Sequence, residues 1–297
     1  MKVVTFEQGG TQRFGVLEAD RVIDLSPLFG SALHFFEGGA LAVEAARGAV
    51  GYAKHSGEGV HALEDVRLKA PVPNPRKILC LAGNYAAHIR EGGGEPPEKL
   101  TSTPRVFMKP PSTTVVGPEE AILLPRNAHK IDWECEIAAV IGRRARFVSA
   151  KEGLDYVAGY TVMNDVSERS LKFDTKREDR DGDKWFDWLN GKWFDTFAPM
   201  GPCVALKDEI PDPQRLRITL RLNGQTRQDG NTGQMIFSIA ELVAWASTLM
   251  TLEPGDLIST GTPAGVGHAS GTFLKPGDVL ESEVEGIGVL RSPVKAE

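Results

Sequence analysis

The chain is punctuated by turns. It carries 32 glycines in 297 residues, above the roughly 7% of average usage, and many of them stand beside Pro, Asp or Asn. "PGD" occurs at 254–256 and again at 276–278, and "NG" at 190–191 and 223–224. Glycine reaches positive φ without steric cost, proline presets φ, and Asn or Asp bonds its own backbone, so these combinations reverse a chain between strands. Breaks this frequent make the chain turn-rich and strand-rich. The expected fold class is mostly β (α+β). The two PGD stretches read as one turn used twice rather than as an internal repeat.

Two organisational units follow from the pattern. Residues 1–26 read as three short strands, "KVVTFEQ", "RFGVLEAD" and "RVIDL", and residues 40–54 as an Ala-rich helix. The stretch "LKAPVPNPRKILCLAGN" then places prolines at 71, 73 and 75. Proline fixes φ and biases its predecessor away from helix, so this stretch runs extended. A boundary here gives a small α+β N-terminal domain, 1–71, and a larger domain, 72–297. In the larger part, Asn84 is placed to N-cap a short helix over 85–91. The clearest helix is 238–250, where Ser238 and Glu241 form a capping box and Ile239, Leu242, Val243, Ala246, Leu249 and Met250 line one face.

Composition narrows the function classes. A net charge of −6 with no Lys/Arg block argues against a nucleic-acid partner. The N-terminus lacks an apolar signal core and no run of about 18 apolar residues occurs, so no membrane segment is expected and the expected location is cytoplasmic. Cys80, Cys135 and Cys203 are odd in number and widely spaced, which suits core thiols in a reducing compartment rather than disulfides or zinc. Neither a dinucleotide fingerprint nor a P-loop is present.

The chemistry gathers in "HKIDWECEIAAVIG", residues 129–142. Strand side chains alternate, so Asp132, Glu134 and Glu136 share a face while Trp133, Cys135 and Ile137 share the other. A solvated strand face would explain the acids, but Trp and Cys make a poor outward face and the acids' own face continues into Ala138 and Val140. Buried together and unpaired, such acids repel and are costly to desolvate. They call for a metal or a cationic partner. Asp165, closing the apolar run of "YTVMND", offers a third carboxylate. Oxygen ligands without His or Cys select a hard divalent cation, Mg²⁺ or Mn²⁺. The acidic stretch "DRDGD" at 179–183 fails as a calcium loop, because position 6 is Lys184 and position 12 is Asn190. A solvated loop or lid over roughly 174–184 is expected instead.

For proton chemistry, His88 and Glu91 stand three apart on the 85–91 helix, within contact range. A carboxylate beside His fixes its tautomer and raises its basicity, although an exposed helical pair has the same spacing. Lys192 in "NGKWFDTF" reads either as a surface lysine or as a partly desolvated cation facing the acids. Thr260 and Thr262 in "STGTPAGVG" sit in a Gly-rich turn that can hold a carboxylate or be only a turn.

Taken together, "LAGNYAAHIRE", "FMKPPSTTVVGP", "IDWECEIAAVIG", "GYTVMNDVSER", "GKWFDTFAPMGP" and "STGTPAGVG" resemble, in order and spacing, the fumarylacetoacetate hydrolase family over residues 76–297. Residues 1–70 look like the variable N-terminal domain of its longer members. The resemblance implies a mixed β-sandwich roll with few helices, a homodimer, and one Mg²⁺ or Mn²⁺ per subunit held by Glu134, Glu136 and Asp165. It implies that His88 and Glu91 are the water-activating pair and Lys192 the active-site lysine, with Arg169, Thr262 and Lys109 meeting the substrate. One departure is the long "DTKREDRDGDKWFDWLN" segment, where many members are shorter, and it bears on substrate identity. The expected activity is hydrolytic C–C cleavage of an acylpyruvate-like keto acid through a pyruvate enolate. Decarboxylation of oxaloacetate-like acids or ketonisation of 2-hydroxydienoates uses the same enolate. A non-catalytic metal-dependent binding module is the alternative of another class.

Overall fold

The computed structural model describes residues 1–171, 177–178 and 180–297, so part of the charged stretch at 174–184 lies outside the described residues. Among the described residues there are sheets of twelve, five and two strands and seven α-helices. The mostly-β expectation holds. From one edge to the other, the central path of the largest sheet runs Val60–Ala62, Arg21–Asp24, Thr11–Glu18, Lys2–Gln8, Ala198–Leu206, Val157–Asn164, Cys135–Ile141, Leu257–Ser259, Ile78–Leu81 and Val106–Lys109. Strands of the first 71 residues therefore extend the sheet that carries the acids. The join is made where Lys2 and Val3 pair with Ala205 and Val204. No helix among the described residues is long and apolar enough to cross a membrane.

The strand Cys135–Ile141 is buried along its whole length. Its odd residues, Cys135, Ile137, Ala139 and Ile141, enter the core shared with the five-stranded sheet through Ile218, Leu220, Leu280 and Leu290. Its even residues Ala138 and Val140 enter a second core with Phe35, Phe36 and Ala46 of the N-terminal helices Ala32–Glu37 and Gly39–Ser56. Two cores on two faces explain why the run is continuously apolar rather than alternating. Fixing both faces also fixes where the acids at its start must point. Cys80, Cys135 and Cys203 are free and buried.

The turn chemistry behaves as expected with one exception. In both PGD stretches glycine takes positive φ (Gly255 84°, Gly277 92°). In both, the Asp carboxylate accepts from the backbone N–H three residues earlier: Glu253 to Asp256 at 2.7 Å, and Lys275 to Asp278 at 2.8 Å. Asn223-Gly224, with both φ positive, closes the hairpin between Arg217–Leu222 and Gln225–Asn231. Asn190-Gly191 does not join strands. It ends the helix Asp183–Asn190, and glycine is required there because a Cβ would lie 2.2 Å from the Glu168 carbonyl oxygen.

Helix expectations also met corrections. The Ser238–Glu241 capping box is formed on Ile239–Leu249, but Leu249 is exposed, since the last turn runs past the core. The short helix is Ala86–Glu91 with Tyr85 at its N-cap. Asn84 does not cap it. Its amide donates to the Phe237 and Thr260 carbonyls (3.0 and 2.8 Å) and accepts from the Phe237 N–H (2.8 Å), tying three segments together.

Candidate active site

The acidic strand is broken where the sequence suggested continuity. Ile131–Asp132 pairs with Ser167–Glu168, and Cys135–Ile141 begins a separate ladder. Between them the Glu134 N–H is taken by the Asn164 side chain at 2.9 Å. Asp132 consequently lies outside the ladder that carries Glu136 and is fully buried. It accepts from the N–H groups of Trp133, Gly267 and His268 and from Arg169 Nε (3.0 Å). Its role in the fold is to hold Arg169.

Glu134, Glu136 and Asp165 are all buried, and one oxygen from each lies within 4.8 Å of the others. Asp165 follows directly on the strand Val157–Asn164, and its N–H donates to the Glu134 carbonyl at 2.9 Å, which locks the two strand ends together. Lysine and arginine side chains serve two of the three acids. Lys192 Nζ donates to Glu134 Oε2 and Asp165 Oδ2, both at 2.7 Å. Lys109 Nζ donates to Asp165 Oδ1 at 2.5 Å and to the Val166 carbonyl, and Arg169 Nη2 to Glu134 Oε1. Burial pushes the Glu134 carboxyl upward, but Arg169, Lys192 and His88 outweigh it and hold the group well below the usual carboxylate range.

Glu136 is treated differently. Its Oε2 accepts from Ser259 Oγ (2.5 Å) and the Gly261 N–H (2.8 Å), whereas its Oε1 is buried without a hydrogen-bond partner. Burial and the neighbouring Asp165 and Glu134 push its carboxyl up to about 8. Four buried acids (Asp132, Glu134, Glu136, Asp165) therefore meet three cations (Lys109, Lys192, Arg169). An orphaned buried carboxylate oxygen, an oxygen-only donor set and a deficit of positive charge fit a hard divalent cation.

His88 and Glu91 are in contact, with Nδ1 2.8 Å from Glu91 Oε1. The other Glu91 oxygen accepts from the Gly265 N–H at 2.7 Å. With Glu91 an acceptor, Nδ1 is the donor of this bond, and in the neutral imidazole the lone pair lies on Nε2. Nε2 lies 4.0 Å from Glu134 Oε1, so it faces the acids without being tied to them. His88, Arg169, Lys192, Thr262 and Glu134 line one cavity of about 760 Å³, closed on one side by Trp188 and Phe107. The Lys192 ammonium sits over both of those rings, 5.5 and 5.3 Å from their centroids.

Two of the sequence-selected residues sit behind the cavity wall or are already engaged. Lys109 is completely buried against Asp165 and does not line the cavity. The Thr262 hydroxyl lines it, but donates to the Cys135 carbonyl (2.8 Å) and accepts from Gln228 Nε2 (2.7 Å). Sequence reasoning missed Ser259, whose hydroxyl anchors Glu136. Part of the signal was present, since "STGTP" carries three hydroxyls on one turn, but the pairing of Ser259 with Ala138, which sets its hydroxyl beside Glu136, is a matter of sheet order. Asn84, Gln228 and Asn164 were also missed, and their partners are too distant in sequence for any local pattern to show them.

A model of the fumarylacetoacetate (FAA) hydrolase C-terminal domain matches residues 77–295. The chain belongs to the fumarylacetoacetate hydrolase family. A second model, Rv2993c-like N-terminal, matches residues 1–71 of this family member. Over 232 residues it is 42% identical to mitochondrial oxaloacetate tautomerase FAHD2A of Bos taurus, covering 77% of this chain and 70% of that protein. Maleylpyruvate hydrolase from Sphingobium sp. SYK-6, solved with manganese(II) and pyruvate, superposes with a TM-score of 0.79 at 28% identity, covering 100% of this chain and 99% of the other. The 5-carboxymethyl-2-hydroxymuconate delta-isomerase of Mycobacterium smegmatis superposes with a TM-score of 0.75 at 31% identity, covering both chains fully. The fold is thus the mixed β roll of the fumarylacetoacetate hydrolase family, and its relatives include hydrolases, isomerases and tautomerases.

Proposed function

We propose that this chain is an enzyme that moves a proton at the carbon next to the keto group of a short 2-oxo acid, with Mg²⁺ or Mn²⁺ held by Glu134, Glu136 and Asp165. The observation that carries the reading is the His88–Glu91 pair, whose Nε2 stands 4.0 Å from Glu134, one of the three clustered carboxylates, on the wall of the cavity. The cation would polarise the keto oxygen and make the adjacent C–H more acidic. His88 Nε2 takes that proton, and Glu91 stabilises the imidazolium it becomes. Returning the proton to the oxygen completes a keto-to-enol conversion, and the reverse sequence gives ketonisation. Lys192 and Arg169 supply fixed positive charge beside the developing enolate. Trp188 and Phe107 exclude water from one side.

Tautomerisation is the first reading, supported by the 42% identity to an oxaloacetate tautomerase over three quarters of the chain. Hydrolytic C–C cleavage is the second, supported by the full-length likeness to maleylpyruvate hydrolase. In that case His88 takes a proton from water, the hydroxide adds to the distal carbonyl, the C–C bond breaks, and the carbon fragment regains the proton as a 2-oxo acid. Mn²⁺-loaded protein given oxaloacetate or an acylpyruvate separates the readings. Loss of enol absorbance with carbon skeleton intact identifies a tautomerase, and release of pyruvate with a second acid identifies a hydrolase. No conversion of either substrate, or equal conversion in His88→Ala, rejects the proposal.

A further inference from the structure

The cavity has an inner floor and an outer rim, and their cations differ. On the floor, Lys192 and Arg169 are fully engaged by Glu134, Asp165 and Asp132. At the rim stands Arg105, which also lines the cavity, and among the described residues its guanidinium has no ion-pair or hydrogen-bond partner. Glu95 lines the cavity as well, without approaching Arg105 to ion-pair distance. The Ser102 hydroxyl, three residues before Arg105 in the same wall, is buried and has no partner.

An exposed arginine is ordinarily a solvated charge. Strand register separates this one from that default. Arg105 directly precedes the strand Val106–Lys109, and its carbonyl accepts from the Ala82 N–H at 2.9 Å, continuing the ladder with Ile78–Leu81. Side chains at 105, 107 and 109 therefore share a face. Lys109 on that face ends on the carboxylate of Asp165, and Phe107 forms the cavity wall beneath Lys192. Arg105 is the outermost rung of that row. Four residues of strand advance roughly 13 Å, a span that a five- or six-carbon substrate and the arginine side chain can share.

We propose that Arg105, assisted by the Ser102 hydroxyl, receives the remote carboxylate of a dicarboxylic 2-oxo acid whose keto-acid end lies at the triad. The inference rests on the proposed 2-oxo acid chemistry and names its substrate class. Charge supports it. The four acids and three cations at and behind the floor become net +1 with a divalent cation, which a single carboxylate neutralises. A second carboxylate needs a further cation, and Arg105 is the unengaged one in the lining.

The test is binding, not turnover, on Mn²⁺-loaded protein by calorimetry. Matched ligands differ only at the remote end: 2-oxoglutarate against 2-oxovalerate, and 2-oxoadipate against 2-oxohexanoate. The wild type should hold a diacid about 10-fold tighter than its monoacid partner, the size of one charge-assisted hydrogen bond at a solvated rim. Arg105→Met should erase that gap while leaving monoacid affinity unchanged, Arg105→Lys should restore part of it, and Ser102→Ala should shrink it about 2-fold. A gap that survives in Arg105→Met, or is absent from the wild type, overturns the assignment of Arg105 while monoacid binding still upholds the 2-oxo acid reading. Failure of all four ligands to bind rejects both.

Discussion

Two carboxylates at strand ends, one in each part of the chain, have opposite environments. Asp24 closes the strand Arg21–Asp24 of the N-terminal part, and both its oxygens are claimed: Arg13 Nη1 donates at 2.6 Å and the Ser26 N–H at 2.8 Å. Burial pushes its carboxyl up, but the bonds from Ser26 and Arg13 win and hold it below its ordinary value. Glu136 has donors on one oxygen and nothing on the other, and is pushed up to about 8. The first acid is satisfied by its own chain and serves the fold. The second is left incomplete, at a cost in stability, and an incomplete buried acid is what a ligand site requires.

Substitutions can break this contrast. The largest effect is expected for Glu136→Gln, whose amide oxygen can still accept from Ser259 and Gly261 but carries no charge. Turnover should fall by 10³ or more and Mn²⁺ affinity by about 100-fold, while urea unfolding of the metal-free protein shifts by less than about 1 kcal/mol. Equal loss of stability and affinity would make Glu136 a structural acid like Asp24. His88→Ala should lower kcat by about 10²–10⁴ with Mn²⁺ affinity retained in calorimetry. If the metal were lost too, His88 would belong to the cation's shell rather than to proton transfer.

Smaller effects sharpen the structural side. Asn84→Ala strands the Phe237 N–H and two carbonyls behind the cavity, and should cost about 2–3 kcal/mol in urea unfolding. Asp24→Asn should cost about 1 kcal/mol at pH 7 and leave activity untouched. Because the folded carboxyl of Asp24 sits below its unfolded value, its contribution is complete above the unfolded pKa and fades as pH falls through the folded one. The wild type and Asp24→Asn should therefore converge in stability only in acid, measured by thermal melts from pH 7 down to pH 2.

How much of this was legible in the sequence depends on distance along the chain. The two-residue spacing of Glu134 and Glu136 and the three-residue spacing of His88 and Glu91 are local; the structure gathers the first pair with Asp165, holds the second pair in contact, and lines one cavity with His88 and Glu134. The repeated PGD turn and the Ser238–Glu241 box are local too. Asn84 looked like a cap because an Asx residue before a helix usually is one, but its partners lie 153 and 176 residues away. Asp132 was expected to share one continuous strand face with Glu134, since a pattern of alternation cannot reveal that Asn164 takes the Glu134 N–H where the strand breaks. Lys109 behind Asp165 and Ser259 beneath Glu136 are products of sheet order. Strand order is set by which apolar faces find each other, and no window of sequence contains it.

The seam between Lys2–Val3 and Val204–Ala205 has a practical meaning for anyone wishing to trim the chain. Cutting after residue 71 would not release a spare module. It would lay bare the flank of Ala198–Leu206, a nearly fully buried nine-residue strand, together with the apolar floor that Phe35, Phe36 and Ala46 cover. A bare flank of that kind invites a strand from another molecule. The shortened protein should come out of cells as aggregate, and what survives in solution should be stickier than the parent rather than simply smaller.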